Sequence, residues 1–124
     1  QAISIFKNDS LASKPGNAFL YSSYGFELLG AVIEGASGED YLSYMNRNIW
    51  NPLLMTNTYG DIADSTMINK SKFYYPNEEE AKPYDLSYSY ASGGLISTTE
   101  DLLKFGNELL YGKYFESSFK KKSD

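Results

Sequence analysis

Apolar residues return at three- and four-residue intervals in two long stretches of this chain, and that spacing predicts helices. In the first, Leu28, Leu29, Val32, Ile33 and Ala36 make one apolar face. Ser22 or Ser23 can cap its start through a hydroxyl. Ser37-Gly38 stops it, because glycine takes the left-handed conformation freely. In the second, Leu102, Leu103, Phe105, Leu109 and Leu110 repeat the pattern. Ser97-Thr98-Thr99-Glu100 precedes it with capping-box spacing, and Tyr111-Gly112 ends it. Between the two, a further helix is predicted from Glu39-Asp40, whose charges favour a helix N-terminus. Tyr41, Leu42, Met45 and Ile49 line one side of it, and Asn51-Pro52 ends it, since proline disfavours helix in the residue before it. Ile3, Ile5 and Phe6 suggest a short helix at the start. Burying a leucine-sized side chain stabilises by about 1.5–3 kcal/mol, so these faces can hold the helices together if something covers them.

From residue 53 to 90 the periodicity fades. Phe73-Tyr74-Tyr75 and Lys82-Pro83-Tyr84, around a polar turn, suggest a short hairpin that the prolines confine to edge positions. So long an irregular stretch is uncommon in a self-sufficient domain. It reads as a functional loop, or as a segment that packs against protein outside this chain. The expected fold is mainly α, with a long irregular segment and at most one short β-hairpin, over residues 1–112. A polar, frayed tail is expected at 113–124.

Composition narrows the function. At 124 residues the chain is one domain at most, with a modest core. The net charge of −5 disfavours nucleic acid, which needs a basic face. The one basic run, Lys120-Lys121-Lys122, reads as a solvated tail. The absence of Cys excludes disulfides and thiolate chemistry. The absence of His excludes a Ser-His-Asp triad and argues against zinc. No metal or cofactor is implied. No apolar run approaches membrane-spanning length. Gln1-Ala2-Ile3 shows neither a basic region nor a cleavable apolar core, and no initiator Met, so the chain is expected to begin inside a longer product.

Tyr21-Ser22-Ser23 is the best candidate for chemistry, placed where a turn runs into a helix. A phenol is a poor base, with an ordinary pKa near about 10, and works only beside cations or within a lysine relay. No lysine adjoins Tyr21 in sequence, so a cation must arrive through the fold; on composition alone, packing is the commoner role for one tyrosine among 12. Ser22 and Ser23 can bond substrate or cap the helix. Ser117 with Lys120, and Ser118 with Lys121, spell S-x-x-K, in which a lysine one turn away takes the serine proton; in a polar tail this reads as coincidence. Glu78-Glu79-Glu80 reads as a solvated turn. Gly93-Gly94 reads as a tight turn feeding the last helix, since no phosphate-loop pattern follows it.

Three stretches carry a resemblance. PGNAFLYSSYGFELLGAVIEGASGEDY resembles the tyrosine-motif region of serine beta-lactamase-related proteins: class C beta-lactamases, D-alanyl-D-alanine carboxypeptidases and related esterases. Asn51-Pro52-Leu53-Leu54-Met55-Thr56-Asn57-Thr58 resembles that family's proline-leucine-glycine-methionine-x-x-threonine segment. Ala91-Ser92-Gly93-Gly94-Leu95-Ile96-Ser97-Thr98 is similar to its glycine-glycine-leucine-x-serine-threonine element. The pieces come in family order over residues 15 to 111. Asp101-Leu102-Leu103-Lys104-Phe105-Gly106-Asn107 looks nearest to the mitochondrial serine beta-lactamase-like branch.

By this resemblance Tyr21 matches the catalytic tyrosine and Ser23 stands where many members carry a substrate-binding asparagine. The family's nucleophilic serine and its lysine lie upstream of this region, and its lysine- or histidine-threonine-glycine strand lies downstream. The resemblance implies the helical subdomain of an α+β beta-lactamase/transpeptidase-like fold. The parent would hydrolyse an amide, lactam or ester through an acyl-enzyme. This chain alone would be inactive. Its implied partner is the sheet subdomain of the same parent, and its bare apolar face would otherwise pair two copies. A bacterial parent would be extracytoplasmic. The alternative is a non-enzymatic protein-binding module that reuses the helical subdomain.

Overall fold

The computed structural model describes residues 3–62, 69–82 and 84–116. Four α-helices carry most of the regular structure: α1 (Ile3–Phe6), α2 (Ser23–Ser37), α3 (Tyr41–Met45) and α4 (Thr99–Tyr111). Two short strands, β1 (Tyr59–Gly60) and β2 (Leu95–Ile96), pair antiparallel with Tyr59 opposite Ile96 and Gly60 opposite Leu95. The pairing runs on through Asp61 N–H, which donates to Gly94 O at 2.8 Å.

Helix α2 begins and ends where its sequence says. Gly38 takes φ 73° and its N–H donates to Glu34 O at 2.9 Å, closing the last turn. Its packing differs from expectation. Leu28, Leu29, Val32 and Ala36 are exposed, so the apolar face does not join the helices. The helix packs instead through Gly30, which is buried; a Cβ there would lie 2.6 Å from Ala91 Cβ. Phe6 of α1 stacks on Tyr24 with ring centroids 4.9 Å apart.

Helix α3 starts as read, with Asp40 accepting from Ser43 N–H at 3.0 Å. It does not continue as regular α-helix to Asn51. From Asn46–Trp50 the ladder widens to a π-helix. Asn51 N–H donates to Asn46 O at 2.9 Å, and Met55 N–H to Trp50 O at 2.8 Å, each five residues back. Pro52 explains the change. A regular ladder would send the residue-52 N–H to Asn48 O, and proline has none. The Tyr114 hydroxyl donates to that carbonyl instead, at 2.8 Å.

The expected frayed tail is corrected by the same contact. Residues 114–116 are helical. Tyr114 N–H donates to Glu108 Oε1 at 2.5 Å, and Phe115 packs edge-on to Phe105 at 5.9 Å. Two aromatic side chains supply surface that a purely polar tail would lack. Ser117, Ser118, Lys120 and Lys121 lie outside the described residues.

The expected hairpin is present only as a tight turn. Tyr74 pairs with Glu80, Ala81 N–H donates to Phe73 O at 2.7 Å, and Glu78 turns the chain at φ 68°. Lys82 and Tyr84 belong to no strand, and Pro83 lies outside the described residues.

Leu54 also has a positive φ, 56°, in the turn after Pro52. A side chain there crowds the following carbonyl, at a cost of about 1–2 kcal/mol. The Leu54 carbonyl is held by Lys104 Nζ at 2.7 Å, which fixes the turn. Leu54 is exposed and stands at the glycine of the segment quoted above. Leu54→Gly is therefore expected to stabilise the chain by about 0.5–1 kcal/mol, the relief of strain exceeding glycine's entropy cost. A urea midpoint that falls would contradict this.

The core is small. Among the described residues, Trp50 and Met55, each 5% exposed, are the only large apolar side chains that are buried. The apolar residues of α2 find a counterpart in Leu102, Leu103, Leu109 and Leu110 of α4, which are exposed as well.

Candidate functional site

Tyr21 ends an extended approach to α2, with its side chain 64% exposed and its ring centroid 5.6 Å from that of Phe26. Among the described residues its hydroxyl has no hydrogen-bond partner. Ser22 occupies the N-cap position in extended conformation, but its side chain makes no capping bond. That corrects the hydroxyl cap expected from sequence. Only its carbonyl is used, accepting from Gly25 N–H at 3.0 Å. The first-turn N–H groups of α2 therefore have no side-chain cap, and the positive end of the helix dipole stays open next to Tyr21-Ser22.

Ser23, the first residue of α2, lines a recess of about 410 Å³ together with Ser89 and Ser92. Tyr21 does not line it. The wall opposite Ser23 is built by one carbonyl. Ser89 O accepts from the N–H groups of Ser92 (3.1 Å), Gly93 (3.0 Å) and Gly94 (3.0 Å). This is the tight turn that Gly93-Gly94 suggested. Gly94 is needed because a Cβ would lie 2.7 Å from Leu86 O. The structure thus joins Ser23 to the segment leading into β2 and leaves Tyr21 on the outer surface.

Sequence reasoning missed the group that fastens this region, Asp101. It is 0% exposed. Its Oδ2 accepts from Asn57 N–H at 2.7 Å and from the Thr58 hydroxyl at 3.0 Å, and its Oδ1 from Lys104 Nζ at 2.9 Å. Thr58 Oγ1 also lies 2.8 Å from Ser97 Oγ. The helix cap is shifted by one residue from the expected box: Thr98 accepts from Asp101 N–H at 3.3 Å. Burial by itself would raise the Asp101 pKa. The bonds from Lys104, Asn57 and Thr58 outweigh it and hold the carboxyl below its ordinary range. The one available signal was an Asp three residues after a cap threonine, which reads equally well as an ordinary first-turn acid.

Glu78-Glu79-Glu80 is an exposed turn, with Lys72 Nζ 2.7 Å from Glu80 Oε2 and Asn77 donating to Glu79 at 2.9 Å. Among the described residues no group of three or more His, Cys, Asp or Glu is placed to hold a metal ion. Among them, too, no helix is long and apolar enough to cross a membrane.

A mostly helical chain with a two-stranded sheet, two buried apolar residues and bare helix faces is part of a larger hydrolase fold. The beta-lactamase family model matches residues 1–122, and the chain belongs to that family. It is 43% identical over 128 residues to the mitochondrial serine beta-lactamase-like protein LACTB of Mus musculus, covering 100% of this chain and 23% of that protein. It spans, therefore, about a quarter of the length of such relatives. A D-stereospecific amidohydrolase from Streptomyces superposes with TM-score 0.69 at 30% identity, over 81% of this chain and 31% of that one. A D-amino acid amidase from Ochrobactrum anthropi SV3 shares the fold, with TM-score 0.73 at 24% identity, over 90% and 34%.

Proposed function

We propose that this chain is the helical subdomain of a serine hydrolase that cleaves an amide, lactam or ester through an acyl-enzyme. The observation that carries the reading is an exposed motif tyrosine set directly before the uncapped start of α2, beside a helix whose apolar face is bare. In the family's arrangement the nucleophilic serine and its lysine come from sequence outside this chain. That serine's oxygen would bond to the substrate carbonyl carbon while its proton leaves toward the Tyr21–lysine network. The same proton then returns to the leaving group as the carbonyl reforms. Water later repeats the attack and releases the acid. Ser23 would orient the substrate, with a shorter reach than the family's asparagine.

The bare faces of α2 and α4 fit the sheet-bearing part of the same parent, which would exclude water from them. Without it, the same faces would pair two copies of this chain. A location outside the cytoplasm for a bacterial parent belongs to the same proposal.

The test compares this chain with the longer protein that contains it. Each is mixed with a p-nitrophenyl ester, a chromogenic cephalosporin and a fluorescent penicillin, and intact mass is followed. The longer protein is expected to gain one acyl group and turn over at least one of these, while the isolated chain does neither. A longer protein that never acylates sinks the hydrolase reading.

A further inference from the structure

Glu27 is the one polar side chain on α2 that the proposed chemistry leaves unexplained. Its Oε1 has under 1 Å² of exposed area and no hydrogen-bond partner among the described residues. Buried carboxylate oxygens are almost always paired, because an unpaired one forfeits its hydration for nothing. The oxygen belongs to a residue that borders open space. Glu27 lines a cavity of about 300 Å³ whose other walls include Glu34, Tyr41, Tyr88 and Tyr90. Glu27 and Tyr88 are also shared with the recess at Ser23, so the two spaces meet at this pair.

The chemistry of the walls selects the occupant. Two carboxylates exclude an anion. An apolar guest would leave Glu27 unpaired. A calcium or magnesium ion needs about six oxygen ligands, more than two carboxylates supply. Three tyrosine rings favour an organic cation, which is drawn to the faces of aromatic rings. Among organic cations, a quaternary ammonium has no N–H to donate. A guanidinium presents a planar fork suited to two parallel acceptors. Here only one oxygen is open, since Glu34 Oε1 already accepts from Tyr41 N–H at 2.9 Å. A primary ammonium, a point charge with rotatable donors, matches a single buried acceptor.

We propose that this cavity binds a protonated primary amine, which donates to Glu27 Oε1 and lays its carbon chain against Tyr88 and Tyr90. The Tyr41 phenol is consistent with the charge this requires. Burial, and then the negative charge of Glu27, raise its pKa, so the ring stays neutral beside the cation. The amine can be a free small molecule or a lysine side chain; the ammonium group is common to both.

The test is a titration of the chain with n-butylammonium chloride, followed by nuclear magnetic resonance of its tyrosine rings. Sodium, guanidinium and tetramethylammonium chlorides serve at matched ionic strength. Saturable shifts of the Tyr88 and Tyr90 rings are expected with butylammonium alone among these salts. Glu27→Gln, which keeps the shape, should weaken binding at least about tenfold, as expected for loss of a charge-assisted hydrogen bond. Tyr88→Phe should bind normally and Tyr88→Ala should not. An equal response to sodium or tetramethylammonium, or unchanged affinity in Glu27→Gln, overturns the proposal. The longer protein separates the sources. Binding there as well assigns the site to a free amine. Binding in the chain only assigns it to a lysine of the parent, and absence from both overturns it.

Discussion

Tyr21→Phe, made in the longer protein, is expected to lower kcat/KM by about 10²- to 10⁴-fold, the span over which a positioned acid–base group contributes. Most of the loss should fall on kcat, because a proton-transfer group acts in the transition state and not in substrate binding. The structure makes this substitution unusually clean. The hydroxyl has no hydrogen-bond partner among the described residues, and the side chain is 64% exposed. The ring contact with Phe26, at 5.6 Å, survives in phenylalanine. Thermal stability should therefore stay where it is while turnover collapses. Near-normal turnover would remove Tyr21 from the mechanism. Lost turnover with a lowered melting temperature would point to a structural role.

How much of this was legible in the sequence depends on the range of the interactions involved. Helices α2 and α4 were readable because their apolar periods are local and their stop signals, Gly38 and Gly112, are adjacent to them. The faces those periods define were readable too; what they touch was not. A face of Leu28, Leu29 and Val32 says that burial is wanted, and here the structure leaves it bare. Pro52 announced a break, yet which carbonyl it freed, and that Tyr114 takes it, depends on a contact 66 positions away. Strands of two residues, such as β1 and β2, have no period to read. The tyrosine motif was legible only as an ordered set of pieces. Taken singly, Tyr21 looks like any other tyrosine.

Asp101 lies at the far end of that scale, since its partners are 43 and 44 positions away in the chain. Its replacement should have the largest effect on stability. Asp101→Asn keeps the volume and its own N–H to Thr98, so the α4 cap is retained. It removes the charge that Lys104, Asn57 N–H and Thr58 all address. An amide can turn its oxygen toward Asn57 and Thr58 only by aiming its NH₂ at the Lys104 ammonium, donor against donor. The melting temperature is expected to fall by about 10 °C or more, because a buried, multiply bonded charged acceptor is lost. Lys104→Met, which leaves Asp101 buried with two neutral donors, should be destabilising in the same direction.

The pH dependence gives the same argument a sign. The folded carboxyl has a pKa below its ordinary 3.8, so in acid the unfolded chain binds the proton more readily. Its stabilising contribution is complete above the unfolded value. It drains away as pH falls from there through the lower folded value. Lys104 behaves in mirror image. Its hydrogen bond to Asp101 raises it above 10.5, so its contribution is full below that value and is lost as pH climbs through the folded one. Denaturant midpoints measured across pH should therefore drop on the acid side below about pH 4 in the parent sequence. In Asp101→Asn that acid limb should flatten. A variant that keeps the full acid limb would mean that other carboxylates set it, and that Asp101 does not fasten the 55–58 turn to α4.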